Sequence, residues 1–326
     1  MPGPTRVALA LGSGGARGYA HIGVIQVLQE QGFEIVSVAG TSMGALVGGL
    51  HAAGRLEEYT EWVTGLTQRD VIRLLDLSIK SPGAIRADKI LARVQELLGG
   101  LQIEDLPIPY TAVATDLLAR KEVWFQQGPV DAAIRASIAL PSIITPVMLN
   151  GRLLADGGLL NPIPLAPTAA SGADLTVAVS LAGESGPTHW GTAPVRESSA
   201  PRPTEEWLDR FRRTAAQVLD RDVVRTVTSR LRTIRGTTTA DDVVEEVVEE
   251  VFGALPPGLR TLDVMELSLD TMQNLVTRYR LAGYPPDLLV TVPKTACRTL
   301  DFHKAAQLIE LGRERALDAL RDQGVG

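Results

Sequence analysis

The sequence predicts an α/β domain with a mostly parallel central sheet and a helical insertion before its last strand. Three observations lead there. Short apolar runs that read as buried strands alternate with helical stretches from residue 7 onward. Glycine-rich turns divide the first strands from the helices behind them. A long stretch of three- and four-residue apolar periodicity then interrupts the alternation before a late strand and a final helix. Strand, helix, strand, helix is the order expected of a parallel sheet with crossover helices.

VALAL (7–11) is the first buried strand, and GSGG turns the chain after it. RGYAHIGVIQVLQEQG reads as a helix whose apolar side carries Tyr19, Ile22, Val24, Val27 and Leu28, with Gly32 as its C-cap. IVSVA (35–39) is a second strand, followed by a sharp turn and a helix of small residues from Ala45 to Ala53. PYTAVATDL (109–117) is a further strand. In VMLNGRLLADGG, Asn150-Gly151 is a two-residue hairpin signal, because both turn positions need positive φ. It joins VML to RLLA and delivers Asp156 at the end of the second strand. ADLTVAVSL (173–181) is another buried strand.

Residues 183–206 are rich in Gly, Pro, Ser and charge and read as a flexible loop or lid. Beyond them, apolar residues from Leu208 to Ile234 recur at helical spacing beside many arginines, and DDVVEEVVEEVF pairs apolar and acidic residues. Another helix is expected over 263–282, then a strand in PPDLLVTVP (285–293) and a helix in DFHKAAQLIELGRERALDALRD. These readings divide the chain into a core at 5–182, the loop at 183–206, a helical insertion at 207–284, and a strand and helix at 285–326 that complete the domain.

The net charge of −6 argues against nucleic acid as a partner, which calls for a basic footprint. The single cysteine, Cys297, fits a reducing compartment and reads as a small packing residue. The N-terminus lacks the shape of a signal peptide, and no apolar run reaches the roughly 18 residues of a membrane span. The expectation is a soluble, cytoplasmic protein. No cluster of metal-ligand residues stands out, so no metal or other cofactor is expected.

Three stretches carry chemistry. GTSMG (40–44) lies between a strand and a helix, where Gly40 and Gly44 relieve crowding around a serine, Ser42, at a strained turn. LGSGGARG (11–18) follows a strand, and its consecutive amides can point at a developing oxyanion. As a dinucleotide fingerprint it fails, because Arg17 stands where the last glycine belongs. Alone it reads as a glycine-rich turn without a ligand. ADGG (155–158) places Asp156 after a strand with Gly157 and Gly158 behind it. Alone that reads as a turn, but a partly dehydrated carboxylate set against Ser42 could take its proton. Of the four histidines, His189 and His303 follow Asp156 without a supporting motif, and His21 and His51 read as packing or surface residues.

Together these stretches resemble the patatin-like phospholipases, in their order and in the segment IRASIALPSIITPV (134–147) between elbow and aspartate. The resemblance covers roughly residues 5–182 and implies a three-layer α/β/α fold and a lipid acyl hydrolase. It implies Ser42 as nucleophile and Asp156 as general base in a dyad without histidine. It implies Gly14 and Gly15 as the oxyanion hole, with Gly12, Ser13, Arg17 and Gly18 supporting that loop. Ser13 departs from the glycine many members have there, and its backbone amide remains available. The implied substrate is a phospholipid or lysophospholipid. Acyl transfer, thioester hydrolysis, or lipid or partner binding with vestigial activity stay open. For the arginine-rich stripe two readings also stay open. One is a helix lying on an anionic bilayer with Trp190 and Trp207 as anchors, a peripheral membrane contact. The other, more ordinary, is a solvated face neutralised by the acidic segment.

Overall fold

The computed structural model describes residues 3–75, 88–141, 143–183 and 261–324. Within these residues eight strands form one sheet: β1 (Arg6–Leu11), β2 (Glu34–Thr41), β3 (Tyr110–Asp116), β4 (Lys121–Phe125), β5 (Val147–Leu149), β6 (Arg152–Asp156), β7 (Leu175–Gly183) and β8 (Leu288–Pro293). Their order is β5-β6-β3-β2-β1-β7-β8, with β4 also on β3. The five strands from β3 to β8 along this path pair in parallel, while β4 and the β5–β6 hairpin add antiparallel pairs. The described helices are α1 (Ala20–Glu30), α2 (Met43–Ala52), α3 (Leu56–Thr64), α4 (Gln68–Leu75), α5 (Asp88–Leu98), α6 (Val130–Ser137), α7 (Thr261–Gly283) and α8 (Ala305–Gln323).

Both faces of the sheet are covered, and this is why its central strands are apolar throughout rather than alternating. In β1, Val7, Leu9 and Leu11 join one large core with residues of α1, α2 and α8. Ala10 faces the other way, with Ile163, Leu165 and Ala178, and Leu281 of α7 packs against that group. A Cβ on Gly23 of α1 would lie 2.0 Å from the Ile309 carbonyl oxygen of α8, so glycine lets the two helix backbones touch. Among the described residues, no helix is long and apolar enough to cross a membrane.

The feature that matters most for function is the division of labour along β3. β2 pairs with Tyr110–Val113, and β6 pairs with Ala114–Asp116. β4 pairs with Ala112–Asp116 and so overlaps both. A strand has only two edges, so β2 and β6 must share the edge opposite β4, end to end. β2 gives out at Thr41, opposite Val113, and β6 arrives from the other direction with Asp156 opposite Ala114. The strand that ends at Ser42 and the strand that ends at Asp156 therefore converge on one point.

The expected strands at 7–11, 35–39, 109–117, 173–181 and 285–293 are present, each shifted by a few residues at most. The Asn150-Gly151 turn joins β5 to β6 with φ of 50° and 75°. The first helix is preceded by a 3-10 turn at Gly15–Tyr19. β4 and the helices α3 to α6 are additions that no expectation covered. The readings for 183–206 beyond Gly183, for the arginine-rich stripe and for the acidic segment lie outside the described residues, as do His189, Trp190 and Trp207.

Candidate active site

Ser42 stands between β2 and α2 with φ 57° and ψ −123°, a conformation that side chains other than glycine rarely adopt. The turn closes so tightly that a Cβ on Gly40 would lie 2.3 Å from the Gly44 carbonyl oxygen. One on Gly44 would lie 2.1 Å from that of Leu11. Two hydrogen bonds hold the bend. The Ser42 amide donates to Ser137 Oγ at 2.9 Å, and that hydroxyl donates to the Val113 carbonyl at 2.6 Å. Tyr110 Oη donates to the Ala45 carbonyl at 2.6 Å, fixing the first turn of α2.

Ser42 Oγ donates to Asp156 Oδ2 at 2.5 Å. Asp156 is fully buried, and its Oδ1 accepts from the Gly158 amide at 2.7 Å. Burial pushes the carboxyl up to about 6, and the Ser42 hydroxyl and Gly158 amide pull the other way. The group is thus mostly ionised at neutral pH yet more basic than an ordinary aspartate. The two glycines behind it have steric reasons. A Cβ at 157 would lie 2.1 Å from the Val113 carbonyl oxygen, and one at 158 would lie 2.6 Å from Ser13 Oγ.

The glycine-rich loop is tied down at both ends. The Gly12 amide donates to Val179, that of Ser13 to Pro162 and that of Ala16 to Thr299, at 2.8–3.0 Å. Between them, the amides of Gly14 and Gly15 donate to no acceptor among the described residues. Gly15, at φ 57°, and Ser13 line the same cavity as Ser42. Arg17 sends Nη1 to the Lys294 carbonyl at 3.0 Å, which ties the loop to the end of β8. A Cβ on Gly18 would lie 2.3 Å from that of Met43, so the 3-10 turn rests on the start of α2.

The cavity beside Ser42 is walled mainly by apolar side chains, among them Tyr19, Leu46, Ile138, Leu140, Ile143 and Phe302. Among the described residues, no histidine lines it. His21 is fully buried, and its Nε2 lies 2.8 Å from the Gly12 carbonyl, to which only an N–H can donate. Burial lowers both His21 and His51 to about 4, so both are neutral at physiological pH. Among the described residues, no group of three or more His, Cys, Asp or Glu could hold a metal ion.

The sequence pointed to Ser42, Asp156 and the glycines around them, and the structure brings these together. It adds residues the sequence reading passed over: Ser137, His21 as an anchor of the loop, and Asn161. Asn161 is fully buried. Its carbonyl accepts from Thr41 Oγ1 at 2.9 Å, its amide donates to the Gly157 carbonyl at 2.8 Å, and its Nδ2 donates to Glu122 Oε2 at 2.7 Å. It therefore braces the residue before Ser42 against the turn after Asp156. The only hint in the sequence is its place in LLNPIP, two residues past ADGGL.

Comparison with known proteins identifies the family. The family model described as "Patatin-like phospholipase" matches residues 9–169. An "uncharacterized NTE family protein" of Mycobacterium tuberculosis is 51% identical over 97% of this chain and 91% of its own. The human "patatin-like phospholipase domain-containing protein 6" is 33% identical over 54% of this chain and 13% of its own length. The matched segment holds Ser42, Asp156 and the glycine-rich loop, and the mycobacterial relative extends the likeness across nearly the whole chain, which places this protein in the patatin-like phospholipase family.

Proposed function

We propose that this protein is a serine acyl hydrolase that cleaves acyl esters of phospholipids or lysophospholipids through an acyl-enzyme on a Ser42–Asp156 dyad. Patatin-like phospholipases are as a family lipid acyl hydrolases. The observation that carries the reading here is the 2.5 Å hydrogen bond from Ser42 Oγ to a buried carboxylate of raised basicity. In this mechanism Ser42 Oγ attacks the ester carbonyl as Asp156 Oδ2 takes its proton. The unengaged amides of Gly14 and Gly15 hold the oxyanion. Asp156 then passes the proton to the leaving alcohol; in the second half water attacks the acyl-enzyme as the same carboxylate takes its proton, and that proton returns to Ser42 Oγ as the acid leaves. The mostly apolar cavity beside Ser42 suits an acyl chain.

The test is a fluorophosphonate probe together with a panel of lysophospholipid, diacyl phospholipid and short-chain esters. Wild type should be labelled and should turn over lipid esters, and Ser42→Ala should do neither. Turnover that survives Ser42→Ala would sink the assignment, and turnover of short esters alone would remove the lipid substrate from it.

A further inference from the structure

A second cavity, of about 230 Å³, lies between α7 and the turn that follows Asp156. Its apolar wall is Leu117, Leu159, Leu160, Leu269 and Met272. Two charged side chains also line it, Asp116 and Arg120. Asp116 is engaged: it is buried, and its Oδ1 accepts the amides of Leu118 and Ala119 at 3.0 Å each. Arg120 is exposed and makes no hydrogen bond or ion pair with any described residue. It also sits at φ 54°, where glycine would fit without strain. A strained backbone retained under an unpaired cation is a reason to look for a ligand. The Thr115 hydroxyl, buried in the same wall, has no partner either.

We propose that this cavity binds a fatty carboxylate of moderate chain length, with the chain along the leucines and the carboxylate on Arg120. The volume falls below the roughly 300–1,000 Å³ of sites for drug-sized ligands, which favours one short chain over a two-chain lipid. An apolar slot with a single unpaired guanidinium complements an acyl chain with one negative end. The choice of carboxylate rests on the hydrolase reading, since such acids are that reaction's products. The site has a physical link to the dyad. Arg280 of α7 donates from Nη2 to the Leu160 carbonyl at 3.3 Å and to Glu122 Oε1 at 3.2 Å. Glu122 Oε2 in turn holds Asn161, which holds Thr41 and Gly157. A chain seated against Leu160 bears on the segment that braces both catalytic ends.

Isothermal titration of the full chain with decanoate, below its micellar concentration, tests this. Arg120→Gly should remove one equivalent of bound decanoate while leaving the melting temperature equal or higher, because it relieves the strained φ. Leu140→Trp, which fills the cavity beside Ser42, should leave that equivalent in place. Stoichiometry unchanged in Arg120→Gly, binding abolished by Leu140→Trp, or no binding to wild type would each overturn the proposal. Failure of the hydrolase reading would show instead as absent labelling of Ser42 and would leave these equivalents unaltered.

Discussion

Ser42 and Asp156 meet at 2.5 Å, yet the segments that carry them are built differently. Around Ser42 the backbone is bent to φ 57°, ψ −123°, and glycines two residues away on each side make room for the bend. Around Asp156 it is an ordinary strand end, at φ −50°, ψ 130°. The nucleophile owes its position mainly to a strained bend of five residues, closed in by the Leu11 carbonyl and tied by Ser137. The base owes its position to strand register, because β6 takes over the edge of β3 where β2 leaves it. A strained local device and an unstrained long-range one should fail in different ways.

The elbow should break first and hardest. In Gly44→Ala the new Cβ meets a backbone oxygen, Leu11 O, that cannot swing aside. A loss of about 1–3 kcal/mol in denaturant unfolding is expected, with Ser42 labelling and ester turnover lost together. Ser137→Ala should follow, since it leaves the buried Ser42 amide without its acceptor, at a cost of about 1–3 kcal/mol. Its turnover should fall while the acid limb of the kcat/KM profile stays near pH 6, because Asp156 keeps both its partners. An acid limb displaced along with turnover would show that the two sides of the dyad are not separately held. The smallest effect is expected at the far end of the base hairpin. Gly151→Ala forces alanine to φ 75°, which costs about 1–2 kcal/mol. Turnover should hardly change, because the β3 pairing still sets where Asp156 lies. A large loss of turnover there would show that the hairpin turn positions the base.

How much of this could be read from sequence follows the same division. The elbow and the Asn150-Gly151 hairpin were legible because steric demands on two to five neighbouring residues leave a glycine signature. The parallel sheet was legible in runs such as VALAL, apolar on both faces because both are covered. β4 was not, because its turn uses Arg120 in a left-handed conformation where a glycine would have announced it. α3 was missed because it buries only Tyr59 and Val63, too few to mark a helical period. Ser137 and Asn161 act on partners 95 and 120 residues away, and no local pattern records such contacts. The convergence of β2 and β6 on β3 is likewise a property of register, which the sequence leaves implicit.

Burial of Asp156 also has a signature in stability. Its carboxyl is raised to about 6, so between about pH 4 and 6 the folded chain keeps a proton that the unfolded chain releases. Its contribution to stability is therefore lost as pH rises through that window. His21 and His51, lowered to about 4, act in the opposite sense: their contribution is lost as pH falls from about 6.5 to 4. Comparing wild type with Asp156→Asn cancels the histidines and isolates the carboxylate. The variant should melt higher than wild type above pH 6, and the gain should vanish toward pH 4.

Turnover of a lysophospholipid ester by that same Asp156→Asn protein at pH 7.5 tests the dyad most directly. A general base is worth about 10²–10⁴-fold. A fall of that size in kcat is expected from a protein whose melting temperature shows it to be folded. Turnover within a few-fold of wild type would contradict the dyad and would mean that the proton of Ser42 leaves by another route.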